Sequence, residues 1–96
     1  MASIRRLKKD IDFLTYSVMG DCLVSYSLFP DKKSEAEAIM QRMLDSRNDL
    51  RQRLSRAGKF ESSKEIKAFY KEIFEELLKA VNTSFAELNA IVNSDK

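Results

Sequence analysis

Between Ser3 and Leu28 the apolar residues Ile4, Leu7, Ile11, Leu14 and Val18 recur at alternating steps of three and four, the spacing of one buried stripe along a helix. Phe13, Tyr16, Leu23 and Val24 are expected to widen that stripe, and Cys22 and Tyr26 to carry it towards Phe29. Pro30 stops the element, because the residue before a proline is steered out of the helical region. A first helix over about 3–28 follows.

Ser34-Glu35-Ala36-Glu37 has the form of a capping box, in which a serine hydroxyl and a glutamate carboxylate satisfy two orphaned backbone N–H groups. It predicts a second helix over about 34–57, with the seam Ala36, Met40, Met43, Arg47, Leu50, Leu54 and Ala57, ended by Gly58. After the Lys59–Glu61 connection a second box, Ser62-Ser63-Lys64-Glu65, opens a third helix over about 62–93. Its seam is Tyr70, Ile73, Leu77, Val81, Ser84, Leu88 and Ile91, flanked by Phe69, Phe74, Leu78, Phe85 and Val92. Asn82-Thr83-Ser84 consists of poor helix formers and predicts a bend or fray.

Three helices joined by short loops should lie antiparallel with their stripes turned inward, which gives an all-α antiparallel three-helix bundle in a single domain. Composition agrees. The 96 residues include only two Gly and one Pro, too little punctuation for the turns of a sheet protein, while 44% hydrophobic residues suffice for one modest core. At 1.5 Å per residue the helices would measure about 38, 35 and 45 Å, so the third projects past its partners or pairs with a second chain.

The chain has no His, hence none of the commonest acid, base and metal ligand near neutral pH, and its single Cys22 closes no intramolecular disulfide and no zinc site. Cys22 reads as buried and inert. Glu72, Glu75 and Glu76 suggest a carboxylate metal site, but Lys71, Glu75 and Lys79 stand four apart, the spacing of paired surface charges. The expectation is a protein without catalytic residues, cofactor or metal. Asp10, Asp12 and Asp21 interrupt the apolar stretch that a secretory signal or membrane span needs, which points to a cytoplasmic address. In such a compartment the Asn82–Ser84 glycosylation sequon is a chance match.

Two charge patterns remain. Asp21 lies on the line of Leu7 and Leu14, and Arg47 stands where an apolar residue is due between Met43 and Leu50. In an antiparallel hairpin, residues whose numbers sum to about 64 face each other. Asp21 and Arg47 fall about one turn outside that register, within reach of an arginine, and are expected to form a buried ion pair or else a polar partner-binding spot. The second pattern is a basic bundle end. It gathers Arg5, Arg6, Lys8, Lys9, Arg51, Arg53, Arg56, Lys59, Lys64 and Lys67 against Asp10, Asp12, Asp49, Glu61 and Glu65, an asymmetry that the net charge of +2 conceals. Arg53, Arg56 and Lys59 suit a helix C-terminus, whereas Arg5, Arg6, Lys8 and Lys9 oppose the dipole at a helix N-terminus. That conflict suggests either plain solubilising charge or non-specific contact with nucleic acid or another polyanion through Arg5, Arg6, Lys8, Lys9, Arg53, Arg56 and Lys59.

Phe69, Phe74, Leu78 and Phe85 make the apolar face of the third helix wider than a narrow seam, so they serve either a broad core or self-association into a homodimer. The leading expectation is a non-catalytic protein–protein interaction or self-assembly module, with polyanion binding as the alternative and no membrane partner. The opening Ile4-Arg5-Arg6-Leu7-Lys8-Lys9-Asp10-Ile11-Asp12-Phe13, followed by Asp21-Cys22, resembles the start of a family of small uncharacterised helical proteins from Bacteroides-group bacteria. That resemblance implies a bacterial, all-helical, cytoplasmic protein and assigns no activity. Asp12 here occupies the place where asparagine is usual in the family.

Overall fold

The computed structural model describes residues 4–56 and 62–94, without the side chains of Ile4, Arg56 and Ser94. Three helices, α1 (Ile4–Leu28), α2 (Lys33–Arg56) and α3 (Ser63–Ser94), pack against one another, with a 3-10 turn over Pro30–Lys32 between the first two. No strand occurs among the described residues. The result is an all-α three-helix bundle measuring 53 × 18 × 16 Å. α3, at about 48 Å, accounts for most of the long axis.

The core is one cluster. Leu7, Ile11, Val18 and Cys22 enter it from α1, Ile39, Met43, Leu50 and Leu54 from α2, and Ile73, Leu77, Val81, Leu88 and Ile91 from α3. The expected seam of α3 is therefore buried from Ile73 to Ile91, and Tyr70 packs against its edge. On α2, Ile39 occupies the core position and Met40 only flanks it. On α1, Thr15 is fully buried while Leu14 is partly so, and the Thr15 hydroxyl donates to the Ile11 carbonyl at 2.6 Å. That bond gives the buried hydroxyl a partner within its own helix.

α1 ends at Leu28, before Pro30, as expected, while two other local expectations change. Pro30 occupies the first helical position, where its fixed φ and missing N–H are an advantage, and the turn it starts runs directly into α2 at Lys33. Ser34 consequently lies inside the helix and caps nothing; Lys33 instead pairs with Glu37 at 3.9 Å and sits over the Tyr26 ring at 5.1 Å. At α3 the cap is present, with the Glu65 N–H donating to Ser62 Oγ at 3.3 Å. Asn82-Thr83-Ser84 does not interrupt α3: Ser84 turns its hydroxyl back to the Ala80 carbonyl at 2.9 Å, and the helix continues to Ser94. The expected stop at Ala57 and Gly58, and the Lys59–Glu61 connection, lie outside the described residues.

Candidate functional site

Helix geometry places a residue about 200° from its neighbours two positions away. Ile11 and Thr15 face the core, so Phe13 between them must point outward, and it is 70% exposed. The same holds for Tyr16, Leu23, Val24 and Leu28, each more than half exposed. The sequence pattern placed Phe13, Tyr16, Leu23 and Val24 in a widened core stripe. They form instead a second apolar stripe on the opposite side of α1, joined by Ser17, Gly20 and Ser27. Asp21 is the only charged residue from Phe13 to Leu28.

The serine hydroxyls within this stripe already have partners. Ser17 donates to the Phe13 carbonyl at 3.1 Å and Ser27 to the Leu23 carbonyl at 3.0 Å, so covering the face leaves neither hydroxyl unpaired. A Cβ built at Gly20 would meet nothing within 4 Å, which marks an open, low point at the middle of the stripe. At its far end the stripe continues into a groove between α1 and α3, where Val24 and Leu28 stand beside Phe85 and Val92, with Asp21 and Asn89 supplying polar walls.

The face expected on α3 is less available. Phe69 and Phe85 are partly buried against the core, with the Phe69 ring tilted at 49° to Tyr70 across 6.0 Å. Phe74 and Leu78 are just over a third exposed. A groove of about 610 Å³ joins the starts of α1 and α3, with Leu7, Ile66, Tyr70 and Phe74 among its walls and Arg6, Lys67 and Lys71 supplying charge.

Asp21 and Arg47 do not pair. Asp21 is exposed, and Arg47 Nε donates to Asp12 Oδ1 at 3.0 Å while Arg51 Nη1 donates to Asp12 Oδ2 at 2.7 Å. Asp12 lies on the side of α1 turned to α2, whereas Asp21, nine residues and about 180° further round, is turned away from it. The hairpin register expected from the loop holds, since it sets Asp12 opposite Arg51. A second clamp joins α2 to α3: Arg53 reaches Glu76 at 2.6 Å, Glu72 at 3.6 Å and its own helix's Asp49 at 3.6 Å. Arg42 pairs with Glu87 further along the same two helices. None of these cross-helix partners was identified from spacing, because the choice among carboxylates one turn apart depends on how each helix is rotated.

These pairs change the basic end. Arg53 is held by three carboxylates, and hydrogen bonding to Glu76 raises its pKa further, so it is engaged within the bundle. Arg5 and Lys9 are exposed and Lys8 partly so; none of the three pairs with a carboxylate among the described residues. Arg6 is exposed and shares a shallow cleft with Arg5, Lys9 and Asp10. The Arg56 side chain and Lys59 lie outside the described residues. Cys22 is fully buried, and burial first, then the Asp21 charge, pushes its thiol up to about 11. No group of three acidic or thiol side chains converges as metal ligands would among the described residues.

Together these features define a small helical bundle whose most distinctive surface is an exposed, largely apolar helix face. Comparison with protein-family models, characterised proteins and solved structures finds no match. No helix among the described residues is long and apolar enough to cross a membrane.

Proposed function

We propose that this chain is a cytoplasmic, non-catalytic protein–protein interaction module and that the outer face of α1 is its contact surface. The supporting observation is the run of Phe13, Tyr16, Leu23, Val24 and Leu28, all more than half exposed, with Asp21 at its edge the only charge from Phe13 to Leu28. Isolated exposed apolar residues are ordinary, but a continuous patch is the mark of an interaction site. A helix apolar on both sides is otherwise found buried between other elements.

The test is photo-crosslinking in the cells that make the protein, with a diazirine amino acid replacing Leu23. Leu23 is expected to yield a discrete protein adduct that disappears when Phe13 and Val24 are changed to Glu. The same reporter at Gln52, on the exposed side of α2, should yield none. Absence of an adduct at Leu23, with the bundle folded, would overturn this reading.

A second reading, polyanion contact at the basic end, is supported by Arg5, Lys8 and Lys9, whose charges are not held by carboxylates among the described residues. Such binding should weaken steeply with salt and vanish when these three residues are changed to Gln.

A further inference from the structure

We infer that the occupant of the α1 outer face is a second copy of this chain, docked antiparallel about a two-fold axis at Gly20. This rests on the interaction reading above and names the partner. The large side chains are distributed on either side of that glycine, Phe13 and Tyr16 before it and Leu23, Val24 and Leu28 after it. In an isologous interface the same patch serves both copies, so a stripe with bulk at each end and a low middle complements its own reversed copy. Tyr16 then faces Val24 of the second copy, Phe13 faces the Ser27 level, and the two Gly20 backbones cross where no side chain keeps them apart.

Charge selects the direction. Antiparallel docking sets the exposed Lys9 of each copy towards the Pro30–Lys32 turn of the other, where exposed Asp31 stands beside Lys32 and a Lys33 already paired with Glu37. Parallel docking would instead stack Arg5 and Lys9 on their own counterparts, which is repulsive.

Area is also sufficient. An aromatic side chain carries about 150–250 Å² and an aliphatic one somewhat less, so the five exposed side chains present on the order of 500 Å². With Ser17, Gly20, Ser27 and the adjoining rim of the α1–α3 groove, each copy approaches the roughly 800 Å² per partner of a standard stable interface. The internally bonded hydroxyls of Ser17 and Ser27 add no desolvated, unpaired group.

The experiment uses the full chain. Sedimentation equilibrium is expected to show a dimer at micromolar concentration, and Leu23→Glu with Val24→Glu should weaken it about 100-fold or more, because four carboxylates would be buried without partners. Far-UV circular dichroism should show those variants still folded. Register is read by disulfide trapping in a Cys22→Ala background. A mixture of Tyr16→Cys and Val24→Cys chains should form the mixed dimer, whereas each alone should not, its like positions lying about 12 Å apart along the helices. A strict monomer at high micromolar concentration would overturn the second copy. If Leu23 still crosslinked to a different protein in cells, the interaction reading would survive that failure; with no adduct of any kind, both would fall. Same-position disulfides would overturn the antiparallel register, and a dimer indifferent to the Glu variants would overturn the face.

Discussion

The Asp12 clamp supplies a quantitative test of how α1 and α2 are held in register. Asp12 accepts from Arg47 at 3.0 Å and from Arg51 at 2.7 Å, one arginine on each carboxylate oxygen, and Arg47 is further oriented by a 2.9 Å bond to Asn48 Oδ1. The three side chains are 26–33% exposed, between the surface and interior limits. An exposed pair contributes about 0.2–1 kcal/mol, and breaking a buried one costs about 3–5 kcal/mol. Asp12→Asn keeps the shape but removes the charge from two contacts at once, so a loss of about 1–2 kcal/mol is expected. With a urea slope near 1 kcal/mol/M for a domain of this size, the midpoint should fall by about 1–2 M. Urea unfolding followed by circular dichroism measures it, and a double-mutant cycle with Arg47→Gln isolates the pair. Asp21→Asn, at an exposed position, should stay within about 0.5 kcal/mol of the wild type. If Asp12→Asn changed stability by less than about 0.3 kcal/mol, or Asp21→Asn cost as much, the assignment of the clamp would be wrong.

Three other outcomes follow from the same structure. Ser25 is buried and its hydroxyl lacks a partner among the described residues, so Ser25→Ala should stabilise the fold by about 1 kcal/mol, read as a rise in urea midpoint; a loss of stability would show that the hydroxyl is bonded. Leu77 is fully buried at the centre of α3, and Leu77→Ala should cost about 2–5 kcal/mol, a large share of a small domain's stability, with a change below about 1 kcal/mol excluding its place in the core. The buried Cys22 thiol, pushed up to about 11 from 9.0, holds its proton more tightly in the folded state. Its contribution to stability is therefore complete below about pH 9 and lost as pH rises towards 11, a decline that Cys22→Ala should remove. Native Cys22 should accordingly react with a thiol reagent at pH 8 only as fast as the bundle opens.

The three helices were legible because local rules agree along most of the chain. The α3 seam from Ile73 to Ile91 alternates with exposed Glu72, Glu75, Glu76 and Lys79, so one face alone is worth burying. Pro30 and the Ser62 cap marked the boundaries through backbone chemistry that acts within a few residues. The exposed apolar face of α1 was not legible for the complementary reason. α1 is apolar on two opposite sides, so periodicity detects a helix without saying which stripe is inside, and Phe13 and Tyr16 were read with the wrong one.

Partner choice has the same origin. Asp12 and Asp21 are equally acidic, and Arg47, Arg51 and Arg53 equally basic, until packing fixes the rotation of each helix and puts Asp12, Glu72 and Glu76 within reach. Sequence alone determined what each segment becomes, because hydrogen bonding, capping and proline sterics are local. Which face of α1 is left to water, and which charges meet, was decided only when α2 and α3 together covered one side of α1 and left the other open.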